Sequence, residues 1–102
     1  MILENTTVHH VHIWLKDQKD KQDLITGLYE LATISHIRDL HVGVPAGPGN
    51  EVVESSYDAA LLILCDSPEA LNAYNEDPIH QRIMAKFGPL CSKYIVQNSV
   101  NA

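Results

Sequence analysis

Basic residues are scarce in this chain, with seven Lys and Arg against 13 Asp and Glu and a net charge of −6. A surface of that sign repels phosphate backbones, which excludes nucleic acid as a general partner. Long apolar runs are missing as well: none approaches the ~20 residues that a membrane-crossing helix requires, so no membrane partner is expected. The opening residues Met1 to Asn5 carry neither the basic segment nor the apolar run of a secretory signal. Cysteine occurs only twice, at Cys65 and Cys91, without metal-type spacing and without a disulfide framework. These absences point to a reduced, cytoplasmic protein. Low-complexity segments are also lacking, and 102 residues leave room for one core, so residues 1–102 read as a single domain. Hydrophobic residues, at 45%, suffice to build it.

The first patterned stretch is Thr7 to Lys16. Its odd positions run His9, Val11, Ile13, Leu15 and its even positions Val8, His10, His12, Trp14. β-Branched and aromatic residues dominate, which favours a strand. A charged patch from Asp17 to Asp23 supplies two candidate helix caps, Asp17 and Asp20, before Leu24, Leu28 and Leu31 repeat as one apolar stripe to about Ile34. Gly27 interrupts that stripe at a cost of about 1 kcal/mol against Ala, which suggests close helix–sheet packing. Alternation returns from His36 to Val44, and Pro45 ends it. The turn-rich loop that follows has no helix after it and no Lys-Ser/Thr pair, so it is not a phosphate cradle. Ala59 to Leu64 is an uninterrupted apolar run of strand length, the pattern of a strand buried on both faces. Ser67-Pro68-Glu69 starts a helix, and Asp77-Pro78 repeats that signal and breaks it into two. Gly88-Pro89 ends the second segment, and Tyr94 to Ser99 forms a last strand.

The order is β-α-β, loop, β-α-β. Two such split units build an α+β, ferredoxin-like sandwich with a four-stranded antiparallel sheet, its first and third strands central and its helices on one face. The other face should then be polar. Here it carries Val8, Trp14 and one side of the apolar third strand. A second copy of the chain, docked through that open sheet face, is the expected cover.

Several segments together resemble the stress-responsive dimeric α/β-barrel family. They are His9-His10-Val11 through Trp14-Leu15-Lys16-Asp17, Ile37-Arg38 to Gly43, Ser67 through Tyr74, Asp77 through His80, and Val96 to Val100. The most specific piece is Tyr74-Asn-Glu-Asp-Pro78-Ile-His80, and Asp77 stands where the family often has a second histidine. The resemblance spans about Val8 to Val100. It implies a ferredoxin-like protomer whose sheet faces that of a second copy, closing a barrel. Most members are known only as stress-responsive. The plant polyketide cyclases, a distantly similar branch, close a linear polyketide without a cofactor. There the residues aligned with Tyr74 and His80 do the acid/base work, and that aligned with His9 lines the pocket. This chain departs from the branch at Ala59, where the branch has a pocket histidine, and at Asn98, where it has a carboxylate.

The residues support a matching chemistry. A histidine near its ordinary pKa of ~6.5 can act as a base near neutral pH, with a phenol as donor to a developing oxyanion. Tyr74 and His80 lie far round from each other on a continuous helix, but the break at Asp77-Pro78 can make them converge. The expected catalytic pair is therefore His80 and Tyr74. His9 and Asn98 form a polar wall, and Val11, Leu24, Leu28, Leu40, Leu61, Phe87 and Val96 an apolar one. The other reading has His80 capping the broken helix or bonding a strand carbonyl, with Tyr74 filling the core. His10 and His12, two apart on one strand face, have a spacing that can hold a metal, but no carboxylate or Cys completes a set. Imidazoles packed around Trp14 at an interface are expected instead, with no metal and no cofactor. The functional reading is a homodimer that binds a small apolar or aromatic molecule, with cofactor-free cyclase- or lyase-type chemistry. Its rivals are a structural, stress-associated dimer and a cofactor-independent monooxygenase.

Overall fold

A computed structural model describes all residues, Met1–Ala102. Strand β1 (Thr7–Leu15) leads through a 3-10 turn into helix α1 (Lys21–Glu30), followed by β2 (Asp39–Gly43) and β3 (Ala59–Cys65). Helices α2 (Pro68–Glu76) and α3 (Pro78–Phe87) come next, and β4 (Cys91–Val100) closes the chain. The sheet is antiparallel with order β2-β3-β1-β4, so the first and third strands are central, as in the expected ferredoxin-like sandwich.

Both signals for the broken helix act as read. Ser67 Oγ accepts from Ala70 N at 3.1 Å and Asp77 Oδ1 accepts from Ile79 N at 2.8 Å, each ahead of a proline in the first helical turn. Each satisfies an amide that the helix leaves free, an effect of about 1 kcal/mol. Of the two caps expected before α1, only Asp17 bonds a backbone amide, that of Lys19 at 3.0 Å, and it caps the 3-10 turn. Asp20 makes no side-chain cap. The α1 stripe ends earlier than the periodicity suggested: α1 stops at Glu30 and Leu31–Thr33 tighten into a 3-10 turn. The last strand is longer than expected, because pairing with β1 extends from Cys91 to Val100.

Gly27 corrects one expectation. A methyl group there would overlap the Phe87 ring, so its close neighbour is α3 and not the sheet. The missing side chain lets α1 and α3 approach over the sheet. Leu24, Leu28, Ile83 and Phe87 form the core with Val11, Ile13, Leu61 and Ile63. The β1 register puts Val11 against Leu61 and Val96, and His9 against Ile63 and Asn98, all on the helix-facing side. At the opposite end, the buried carboxylate of Asp58 accepts from Leu15 N at 2.7 Å and Gln18 Nε2 at 2.6 Å, holding the turn from β1 to α1.

Helices cover the sheet unevenly. Every residue of β4 after Cys91 is exposed, including Tyr94 and Val96 on the helix-facing side. The helical layer stops short of that edge, and the gap it leaves is the site described next.

Candidate functional site

Between α1, α3 and the β1–β4 half of the sheet lies a cavity of about 280 Å³. Its wall is mostly apolar, with Leu24 and Leu28 from α1, Ile83 and Phe87 from α3, and Val11 and Leu61 from the sheet. Tyr94, at 56% exposure, and Val96, at 45%, also line it, so its mouth opens past β4.

The polar corner is built by three elements. His9 arrives from β1, Tyr74 from the end of α2 and His80 from the first turn of α3. Asp77-Pro78 turns the chain between the helices, so residues six apart meet: the Tyr74 and His80 rings are 4.7 Å apart between centroids. The His9 ring lies 5.9 Å from that of Tyr74, edge to face. Asn98 stands opposite His9 on β4, and its Oδ1 lies 2.6 Å from His9 Nδ1.

The hydrogen bonds fix both imidazole tautomers. An amide or backbone oxygen only accepts, so His9 Nδ1 donates to Asn98 Oδ1. His80 Nδ1 donates likewise to the Asn75 carbonyl at 2.9 Å. In the neutral form of each ring Nε2 is then the acceptor. His80 Nδ1 ties the end of α2 to α3, and the same ring lines the cavity. Tyr74 is 1% exposed and its hydroxyl has no protein partner, yet no buried polar side-chain atom is left unsatisfied. The hydroxyl therefore keeps a trace of accessible surface, and the residue lines the cavity.

Burial favours the neutral forms of His80 and Tyr74. Burial pushes His80 below the usual histidine value, and a charge on neighbouring His9 would push it further, against the opposing Asn75 bond and Asp77. Desolvation is the largest of these causes. Burial also pushes the Tyr74 phenol well above its ordinary value, so it stays protonated. An acceptor and a donor thus stand side by side in an apolar wall, the arrangement that general acid/base chemistry requires.

Among the residues expected at the site, Leu40 is not in the cavity wall. It pairs with Ile63 on the far side of the central strands and packs against the core there. Strand order is the reason: β2 and β4 occupy opposite edges of the sheet, and the cavity lies at the β4 edge. The sequence reading missed Ile13, Leu31, Asn75, Ile83, Met84, Gly88, Cys91 and Tyr94. Tyr94 had a signal, since placing Asn98 opposite His9 puts Tyr94, four residues back, on the same face. Asn75 had none, because it contributes a backbone oxygen.

His10 and His12 sit on the opposite face of β1, their ring centroids 4.4 Å apart, with Tyr57 4.6 Å from His12. Lys93 Nζ lies 4.7 Å from the Trp14 ring centroid on the same face. No group of three His, Cys, Asp or Glu side chains converges to hold a metal.

Residues 8–101 match the family model described as the Stress responsive A/B Barrel Domain. No curated protein matches the sequence. Among solved structures, a hydroxynitrile lyase from Passiflora edulis superposes with a TM-score of 0.79 at 21% identity, over 95% of this chain and 94% of that one. A Dabb family protein with a ferredoxin-like fold from Mesorhizobium loti gives 0.79 at 16% identity, over 95% and 97%. A dimeric ferredoxin-like protein of unknown function from Thermobifida fusca gives 0.76 at 21% identity, over 94% and 91%. At these identities the likeness establishes the fold.

Proposed function

The chain belongs to the stress-responsive A/B barrel domain family, and from that premise we propose that it is a homodimer binding a small apolar or aromatic molecule between sheet and helices, with cofactor-free acid/base chemistry of the cyclase or lyase type. One observation carries the reading: His80, Tyr74 and His9 converge on an otherwise apolar cavity that is open and not filled by side chains. A purely structural dimer gives no reason for a phenol and two imidazoles to gather on an open cavity instead of a filled core.

In this reading His80 Nε2 takes a proton from an O–H or activated C–H of the ligand. The Asn75 carbonyl keeps the ring in the tautomer that leaves Nε2 free. Tyr74 donates its hydroxyl proton to a hydrogen bond with the oxygen on which negative charge develops. His9, held by Asn98, is the second acceptor of the corner. Apolar walls exclude water, which strengthens each of these interactions.

Dimerisation rests on the open sheet face, where Val8, His10, His12 and Trp14 remain half-buried on a single copy. Structural relatives from Thermobifida fusca and Bacteroides fragilis are described as dimeric.

The test is retention. The purified chain is incubated with a mixture of neutral aromatic and polyketide-like compounds, desalted, and its bound fraction identified by mass spectrometry. Near-stoichiometric retention that Ile83→Trp, which fills the cavity, abolishes would support the reading. A mixture that leaves the protein empty at millimolar concentration would remove it.

A further inference from the structure

The bonding pattern of the cavity restricts what it can hold, and the restriction rests on the ligand-site reading just given. No Lys, Arg, Asp or Glu lines the cavity. An anion would enter without a counter-charge, and a cation likewise, so a neutral occupant is favoured. The polar corner is also one-sided. His9 Nδ1 donates to Asn98 Oδ1 and His80 Nδ1 to the Asn75 carbonyl, so in their neutral forms both imidazoles, which line the cavity with Tyr74, keep Nε2 as a lone-pair acceptor. A ketone, ester or ether can accept from Tyr74 but leaves both Nε2 atoms unpaired. A molecule with two hydroxyl groups satisfies them.

We infer that the cavity selects neutral molecules with an apolar body and two hydrogen-bond donors, which the Nε2 atoms of His9 and His80 accept. Position 98 decides this polarity. A carboxylate opposite His9 would stabilise the imidazolium, whose Nε2 is then a donor, and would suit a ligand with acceptors or an anionic group. The amide of Asn98 offers no such charge. It accepts from Nδ1 and so orients the ring. The size of the cavity, about 280 Å³, sits just below the ~300–1,000 Å³ common for small-molecule pockets, which suits a body of one or two fused rings.

The experiment uses matched probes on the full chain. Affinities of 1,3-, 1,6- and 2,7-dihydroxynaphthalene are measured by calorimetry beside their mono- and dimethyl ethers, with 2-naphthoate as an anionic arm. The three diols sample different separations between the donors. The best diol should exceed its monomethyl ether by about tenfold and its dimethyl ether by about a hundredfold, one hydrogen bond being lost at each step. His9→Phe should lower the ratio of diol to dimethyl-ether affinity by about tenfold. Asn98→Asp should reduce the advantage of the diol. Equal binding of diols and dimethyl ethers, or tighter binding of 2-naphthoate, would overturn the donor rule and leave the ligand cavity standing. Absence of binding by every probe at millimolar concentration would overturn both.

Discussion

The two faces of the sheet share strand β1 and differ by one residue of register. On the helix-facing side, Val11, Ile13 and Leu15 are buried, and His9 is held in place by Asn98. On the other side, His10, His12 and Trp14 stay half-buried, and the two imidazoles lie against each other and Tyr57, with Gln97 opposite His10 and the Glu54 carboxylate acting on His12. Adjacent histidines thus have opposite fates. One belongs to a pocket finished within a single chain, the others to a surface that is not. A strand with period two can serve chemistry on one face and association on the other because no side chain reaches both.

The sharpest way to break this contrast uses neighbours on β3. Leu61 faces the helices at 4% exposure, while Leu62 faces away and is half-buried. Leu61→Asp places a charge among apolar side chains, a loss of about 3–5 kcal/mol, enough to unfold a domain of this size. Leu62→Asp should leave the far-ultraviolet circular dichroism intact and shift sedimentation from twice the chain mass to the chain mass. If both variants unfold alike, or the unmodified chain sediments as a monomer, the open face is not an association surface.

Two glycines give a smaller version of the same comparison. A methyl group on Gly27 meets the Phe87 ring in the core, whereas one on Gly43 meets only the His41 imidazole on the open side. Gly27→Ala should lower unfolding stability by about 1–3 kcal/mol, overpacking outweighing the gain in helix propensity. Gly43→Ala should stay within about 0.5 kcal/mol, because the imidazole can swing away. Urea titration measures both, and a neutral Gly27→Ala would mean that α1 and α3 can separate without loss.

A third pair of variants separates the two jobs of His80. His80→Ala removes the bond to Asn75 together with the cavity-facing nitrogen, and should cost about 1–2 kcal/mol of stability as well as ligand retention. His80→Asn can keep an N–H directed at the Asn75 carbonyl while deleting Nε2. It should restore most of the stability and none of the retention. Equal retention in the asparagine variant and the unmodified chain would show that Nε2 is not used.

These contrasts also mark how far the sequence was readable. Element order, the central position of β1 and β3 and the broken helix follow from local signals that nothing overrides: the apolar run at Ala59 to Leu64, and two caps each followed by proline. Convergence of His80 with Tyr74 was legible because Pro78 forces a change of direction. Leu40 misled because alternation tells which face a residue occupies and not which half of that face, and the cavity occupies only the β4 half. Gly27 misled for a related reason: a gap in a helix stripe reports a close neighbour without naming it, and the neighbour is Phe87, sixty residues away in sequence. The Asn75 carbonyl was invisible because any residue at that position supplies the same atom.

The smallest expected effect distinguishes the faces by titration. Burial pushes His80 below the ordinary histidine value, with the neighbouring His9 adding to it and the Asn75 bond and Asp77 opposing. Burial also pushes His12 down, with His10 adding to it and Glu54 opposing. Both groups titrate lower in the folded chain than in the unfolded one, so the unfolded chain binds more protons once the pH falls to about 6.5. The stability owed to these neutral rings is complete above that pH and declines as the pH falls towards the folded values. The two losses differ in how they depend on protein concentration. His80 lies within one copy, so its loss should be the same in dilute and concentrated protein. His12 lies beside His10 and Tyr57 on the face assigned to a second copy, where two-fold symmetry brings every imidazole twice. Protonation there opposes association, and its effect should deepen on dilution. Thermal melts at about pH 5.5 and about pH 7.5, each at low and high concentration, separate the contributions. His12→Gln should flatten the concentration-dependent part, and His80→Asn the part that is independent of concentration. The reverse pattern would exchange the roles of the two faces.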